Sequence, residues 1–239
     1  MKITKDQLKG WDSCRDGYEW FLRRFPEGEA EYQDVLNALS EDDRPDDADW
    51  LMNRAGPDEQ AVIEVEAIAD CKYVFAAGRL VIKTSATVSR WLRAGTGIEA
   101  GEGIEAGESI EAGEGIKAGF GIKAGESIKA GNGIEAGWGI KAGWGIEAGD
   151  GIKAGEGIKA GNGIEAGWGI EAGWGIEAGE GIEAGTGIEA GLGFGIFAGL
   201  SLRLADWSIY AKVIAKTKPD NLVSGSWVEP AAKAEREVA

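Results

Sequence analysis

The chain has 239 residues, 40 of them Gly and none His, and a formal net charge of −16. Without histidine the commonest general base and the commonest transition-metal ligand are both missing, which argues against most hydrolytic, acyl-transfer and zinc chemistries; a non-enzymatic protein with no cofactor and no metal is expected. No apolar run is long enough to span a bilayer, the first ten residues (MKITKDQLKG) lack the apolar middle of a signal peptide, and the acidic balance disfavours direct contact with nucleic acid or a membrane, so a soluble cytoplasmic protein is expected.

Residues 1–60 predict a small helical domain with 16 acidic and 8 basic side chains. Residues 16–25 (DGYEWFLRRF) place Tyr18, Phe21, Leu22 and Phe25 at helical spacing and stop at Pro26; residues 29–39 repeat the pattern through Tyr32, Val35, Leu36 and Leu39. Pro45 suits the first turn of a third helix carrying Trp50 and Leu51. These aromatics are expected in a core, and the domain is expected to cap the first coil of whatever follows. Cys14 and Cys71 are too few for a disulfide framework and match no metal spacing, so both are expected to be buried thiols in a reducing compartment.

From residue 92 to residue 190 one phrase repeats, Ile-Glu/Lys-Ala-Gly-x-Gly, with Ile at every sixth position from 98 to 188 across sixteen hexads. A fixed period means one small unit stacked on copies of itself. Six residues match neither 3.6 nor 3.5 per turn, and the Gly spacings alternate four and two rather than running at three, so neither an α-helix nor a collagen helix fits. Extended geometry does: Ile and Ala point inward, the charged residue between them points outward, and Gly-x-Gly turns a corner. Ser109 and Ser127 replace the second Gly, which marks that site as tolerant of a small side chain. The fold expected is mainly β, a parallel β-solenoid behind a small all-α N-terminal domain.

Counting back by sixes gives Leu92, Ala86, Leu80, Val74, Ile68 and Val62, so the solenoid is expected to span residues 61–214. Beyond the repeats the register slips by two at Gly193-Phe194, recovers at Ile196 and Leu202, and dissolves by Ile214. Residues 215–239 are expected to be a C-terminal tail with a terminal helix. The charged column selects the number of sides: neighbours 18 residues apart are opposite in sign in 8 of 13 pairs, neighbours 12 apart in only 6 of 14, which favours three hexads per coil.

The hexad resembles the left-handed parallel β-helix of the hexapeptide-repeat acyltransferases over about residues 62–214. That family places its small inward residue four positions after the aliphatic one, where this chain has it at two, and uses a histidine base that is absent here. The resemblance therefore implies a solenoid and no active site. An ice-binding solenoid would need flat ranks of Thr, and the repeats offer Thr96 and Thr186.

Two surface features remain. The x position carries Phe120, Trp138, Trp144, Trp168 and Trp174, expected to be exposed at corners and to serve a protein contact or self-association. Residues 132–150 and 162–180 differ only at Lys141/Glu171 and Asp150/Glu180, so the second Trp pair also has a simple origin in duplication. Residues 98–190 carry 17 carboxylates against six lysines, net −11. On a rod of roughly five coils at about 4.8 Å each that approaches the charge density of duplex DNA, about one per 1.7 Å. In shape and charge the rod resembles the pentapeptide-repeat DNA mimics and phage anti-CRISPR and anti-restriction proteins, although those repeats are pentads and no residue role carries across. The resemblance implies a DNA-mimic inhibitor of a nucleic-acid-binding enzyme, with Glu165, Glu171, Glu177 and Glu183 as contact carboxylates. The alternative is a structural or adaptor protein that holds a protein partner through its N-terminal domain or through Trp138, Trp144, Trp168 and Trp174.

Overall fold

In the computed structural model, which describes residues 1–230, the chain begins with short elements that the side-chain pattern does not announce. Strand β1 (Lys2–Thr4) pairs antiparallel with β2 (Glu29–Glu31), and between them lie α1 (Lys5–Gly10) and α2 (Arg15–Arg24). Thr4 and Gln7 form a capping box that starts α1, satisfying backbone N–H groups that a six-residue helix otherwise leaves free. Then come α3 (Tyr32–Glu41) and α4 (Pro45–Ala55), the latter with its proline in the first turn as expected.

Phe21, Tyr32, Val35, Leu36 and Leu51 are buried in one cluster that runs on into Tyr73, Phe75 and Ala77 of the first coils, so the helices sit on the rod and cover its first open edge. The Gln33 amide donates to the Phe75 carbonyl at 2.8 Å and accepts from the Ala77 N–H at 2.8 Å, pairing backbone groups that no preceding coil meets. Arg93 adds an ion pair with Asp49 and a 2.7 Å bond to Asn53. The expectation of two buried thiols is corrected here. Cys14 is exposed, where its sulfur caps α2 by accepting from the Gly17 N–H at 3.3 Å, and Cys71 is only half-buried against the rod core.

The solenoid opens with β3 (Val62–Val65), β4 (Ile68–Ala76), β5 (Arg79–Ile82) and β6 (Ala86–Ala94). Sixteen three-residue strands follow, β7 (Ile98–Ala100) to β22 (Ile188–Ala190), one for each hexad. Each pairs in parallel with the strands 18 residues before and after it: Ile116 lies beside Ile98 on one side and Ile134 on the other. Three hexads therefore make one coil, and the rod is a three-sided prism of about nine turns. We call first the face that carries β7, β10 and every third strand after, second the face of β8 and β11, and third the face of β9 and β12. The nine-residue strands β4 and β6 bend around the corner between the second and third faces.

In every hexad Ile and Ala are buried and the Glu or Lys between them faces outward. Corner backbones continue the ladder, as in Gly137 N–H to Ala118 carbonyl and Trp138 N–H to Phe120 carbonyl, both 3.1 Å, so the amides of the turns are paired along the axis. The two glycines of a hexad do different jobs. A Cβ on the first, as at Gly143, would overlap the carbonyl oxygen of Gly125 in the coil below. A Cβ on the second, as at Gly139, would stand 3.2 Å from the Gly157 carbonyl oxygen. The first must be Gly for lack of space; the second is merely tight, which is why Ser109 and Ser127 are accepted there.

Both ends depart from counting by sixes. At the start Val62 is exposed and Ile63 takes the inward place, because β3 pairs with β5 at a spacing of 17, Ile63 beside Leu80; one residue of slip turns every side chain to the other face. At the far end the two-residue slip is real, since Ile196 of β23 (Ile196–Phe197) lies beside Ile176. Leu202 does not resume the column. Helix α5 (Leu204–Tyr210) is inserted, and Val213 of β24 (Lys212–Ile214) takes the place beside Ile182. Nor does the rod end at residue 214: β25 (Leu222–Ser224) pairs with β23, and β26 (Ser226–Val228) with β24. The expected tail is thus partly a further coil with no helix through residue 230, and its last nine residues lie outside the described residues.

Candidate interaction surface

Stacking at 18 residues sorts the outward charges into three columns. On the first face Glu99, Lys117, Glu135, Lys153, Glu171 and Glu189 nearly alternate. On the second, Glu105 and Glu177 flank Lys123, Lys141 and Lys159 in succession. On the third, Glu111 and Lys129 are followed by Glu147, Glu165 and Glu183 without an intervening cation. Five exposed lysines pair with a glutamate one coil away: Lys117 with Glu135 at 3.5 Å, Lys123 with Glu105 at 2.5 Å, Lys129 with Glu147 at 3.2 Å, Lys153 with Glu171 at 3.0 Å and Lys159 with Glu177 at 2.5 Å. Exposed pairs of this kind contribute about 0 to 1 kcal/mol each. Four of the five lie on the first two faces, whose outward residues come to −2 and +1, and the Lys129 pair lies on the third.

The x residues form the corners and follow the same period. Glu108, Glu126, Trp144, Asn162 and Glu180 line the corner between second and third faces; Thr96, Glu114, Asn132, Asp150, Trp168 and Thr186 line the corner between third and first. Within residues 98–190 the third face with its two corners holds nine carboxylates (Glu108, Glu111, Glu114, Glu126, Glu147, Asp150, Glu165, Glu180, Glu183) against Lys129, net −8 of −11; at the N-terminal end of the face Glu108 and Glu111 are engaged by Arg90 at 2.6 Å and Arg93 at 3.6 Å. The outward residues of the second face come to +1. Five coils at about 4.8 Å make the acidic side roughly 24 Å long, or about one net charge per 3 Å, against one per 3.4 Å along a single DNA strand.

The structure separates the residues singled out from the sequence. Glu165 and Glu183 stand side by side on the third face, and Trp144 and Trp168 are exposed on its two corners, Trp168 at 68%. Glu171 belongs to the first face and Glu177 to the second, each engaged by a lysine, so no flat partner meets all four glutamates together. Trp138 and Trp174 lie on the remaining corner, opposite the third face, with Phe120, Glu156 and Phe194. Glu147, Glu180 and Asp150 belong to the acidic side and were missed; sorting the hexads in threes would have found them.

The third face ends at a ledge where Ile209 and Tyr210 of α5 border Glu183 and Lys212. No residue of α5 is buried, and Leu204 is 92% exposed. A shallow groove of about 1140 Å³ runs along the first face, lined by alternating Glu and Lys with no convergent set of polar groups. Clear shifts of acidity gather near the N-terminal end. The hydrogen bond from the N-terminal amine holds Asp58 below the usual carboxylate range; Arg44 does so for Asp16 and Lys72 for Asp43. Burial pushes the Tyr32 hydroxyl and the Cys71 thiol up. Among the described residues no cluster of three or more Cys, Asp or Glu is placed to hold a metal ion, and no helix is long and apolar enough to cross a membrane.

Residues 1–55 match the family described as the YdhT N-terminal domain. No curated protein and no solved structure matches the chain. The likeness concerns the helical cap and leaves the rod to be interpreted from its own surface.

Proposed function

We propose that the protein is a non-enzymatic binding protein whose acidic third face takes the place of a nucleic-acid strand in the channel of a nucleic-acid-binding enzyme, inhibiting it. The reading rests on one observation: −8 of the −11 net charge of the repeats gathers on one face and its two corners, at about the spacing of phosphates along one strand. Charge retained only for solubility has no reason to be sorted by face. The contact set is revised accordingly, to Glu147, Asp150, Glu165, Glu180 and Glu183, with Trp144 and Trp168 at the borders. Glu171 and Glu177 fall outside it.

The test is recovery of bound proteins from a bacterial lysate at low and high salt, followed by competition with duplex DNA. A mimic retains DNA-binding proteins at low salt, loses them steeply as salt rises, and is displaced by DNA. A partner whose affinity for the rod is unchanged by saturating DNA rejects the reading. The adaptor reading is favoured by the exposed aromatics of the opposite corner. It requires binding to survive charge reversal on the third face and to be lost on replacing Trp138 and Trp174.

A further inference from the structure

The three outward columns differ in how a second copy of the chain can meet them. Two identical flat faces are brought together by a twofold axis lying between them. An axis parallel to the rods sets every residue level with its own copy, Glu against Glu and Lys against Lys. An axis at right angles to the rods makes them antiparallel. Each column then lies against itself in reverse order, and each corner against the same corner of the partner. Both copies have the same coil spacing, so the match depends only on the order of residues, which the strand register gives.

On the first face the order is Glu99, Lys117, Glu135, Lys153, Glu171, Glu189. With the axis between the coils of Glu135 and Lys153, Glu135 meets the partner's Lys153 and Lys117 meets the partner's Glu171, each twice by symmetry. Like charges meet only at the two ends, Glu99 against the partner's Glu189. Each lysine keeps the glutamate of its own chain and gains one across the axis, which three N–H donors and two carboxylate oxygens allow. The same overlap sets the second column wholly like on like, with Lys123, Lys141 and Lys159 against one another. On the third it leaves Lys129 with the partner's Glu165 as the one kind of opposite pair.

The same axis matches the two corners that border the first face. On the corner shared with the second face, Phe120 meets the partner's Trp174 and Trp138 meets the partner's Glu156, covering three exposed aromatic rings. On the corner shared with the third, Asn132 meets the partner's Asp150 and Glu114 the partner's Trp168. No like charges meet on either corner. An axis one coil nearer the N-terminus keeps as many opposite pairs in the column but sets Glu102 against the partner's Glu156. Six coils at about 4.8 Å and a face about five residues wide at about 3.3 Å each bring roughly 1,000 Å² together in all, the lower limit for a specific interface. Among the described residues, the ion pairs that hold the helical cap to the rod are made to Lys72 and Arg93, away from the first face.

We propose that two copies of the chain associate antiparallel through their first faces. The pairing leaves both third faces open and does not rest on the reading of them.

The experiment is sedimentation velocity of the full chain at low salt, at concentrations up to about 1 mM. A reversible dimer is expected, and its affinity should fall about tenfold or more in 1 M salt. Lys117→Glu with Lys153→Glu makes the column wholly acidic, and Glu135→Lys with Glu171→Lys gives it four lysines in succession. Each double variant alone should be monomeric, and an equimolar mixture of the two should restore the dimer. Folding is safeguarded because the other faces already carry three like charges in succession, and circular dichroism of each variant reports it. Carbodiimide joins a lysine to a carboxylate only in direct contact, and it should link Lys117 to Glu171. Within one chain those residues stand three coils apart, so the link identifies the antiparallel partner. Replacing Glu147, Glu165 and Glu183 of the third face by Gln should leave the dimer in place. A monomer at every concentration, a mixture that stays monomeric, a dimer without the Lys117–Glu171 link, or a dimer lost with the third-face charges would overturn the proposal.

Discussion

The second and third faces of the rod are built from the same hexad and have the same interior, yet their outward residues differ in sign. Ile140 and Ile146 are equally buried, Ala142 and Ala148 equally so, and the strands that hold them pair in the same way. Outward, Lys123, Lys141 and Lys159 follow one another on one face and Glu147, Glu165 and Glu183 on the other. The interior obeys a period of six because each position meets a copy of itself above and below. The exterior obeys a period of 18, the distance at which two residues become neighbours. Fold is written in the shorter period and surface chemistry in the longer one.

The harshest way to break the comparison is to cut into what the faces share. Ile140→Ala deletes three buried carbons in mid-stack, where the backbone of neighbouring coils cannot collapse inward without losing its ladder. It should cost about 2 to 5 kcal/mol. Ile146→Ala on the other face should cost the same within error. Chemical denaturation of both variants checks it, and a clear inequality would mean that the faces are not mechanically equivalent.

Next comes the distinction between the two glycines. Gly143→Ala forces a methyl against the Gly125 carbonyl, and relief requires two coils to part, so a loss of about 1 to 3 kcal/mol is expected. Gly139→Ser repeats what Ser109 and Ser127 already show and should change the melting temperature little. Thermal melts of this pair test whether the corner is limited by space.

A third prediction sharpens the contrast of charge. Reversing Glu147, Glu165 and Glu183 to Lys should abolish capture of nucleic-acid-binding proteins while leaving circular dichroism unchanged, because the Ile column is untouched. Reversing Glu99, Glu135 and Glu171 on the first face alters charge by the same amount and should weaken capture far less. Equal losses would mean that net charge, rather than its placement, governs binding.

Much of this architecture was legible because a repeat averages out local ambiguity. Sixteen copies of Ile-x-Ala leave one assignment of inward and outward, and the signs of Glu99, Lys117, Glu135 and Lys153 chose the three-sided coil that the strand pairing shows. Where copies are lacking, counting failed. A single missing residue put Ile63 in the place assigned to Val62, and the insertion of α5 moved the column from Leu202 to Val213. Strands β1, β2, β25 and β26 are three residues each, too short to carry a pattern. The contact glutamates were chosen as one consecutive run, and in a three-sided coil consecutive hexads point in three directions, which is why Glu171 and Glu177 turned away from Glu165 and Glu183.

The smallest expected effect concerns Lys141 alone. Its side chain points outward, and it stands between Lys123 and Lys159, the one lysine of the repeats flanked by like charge on both sides. Lys141→Ala removes two unfavourable contacts and no buried surface, so the melting temperature should hold or rise slightly. Lys141→Glu exchanges both repulsions for attractions and should stabilise by a few tenths of a kcal/mol, up to about 1 kcal/mol at low salt. The sign is the test: an exposed column read as stacked neighbours predicts a gain, whereas a surface of independent charges predicts none. Raising the salt should erase the gain, since the Debye length falls to about 3 Å at 1 M, below the spacing of adjacent coils. A gain that survives 1 M salt would have to come from something other than charge, such as strand propensity at position 141, and the argument from columns would then lose its support on the second face.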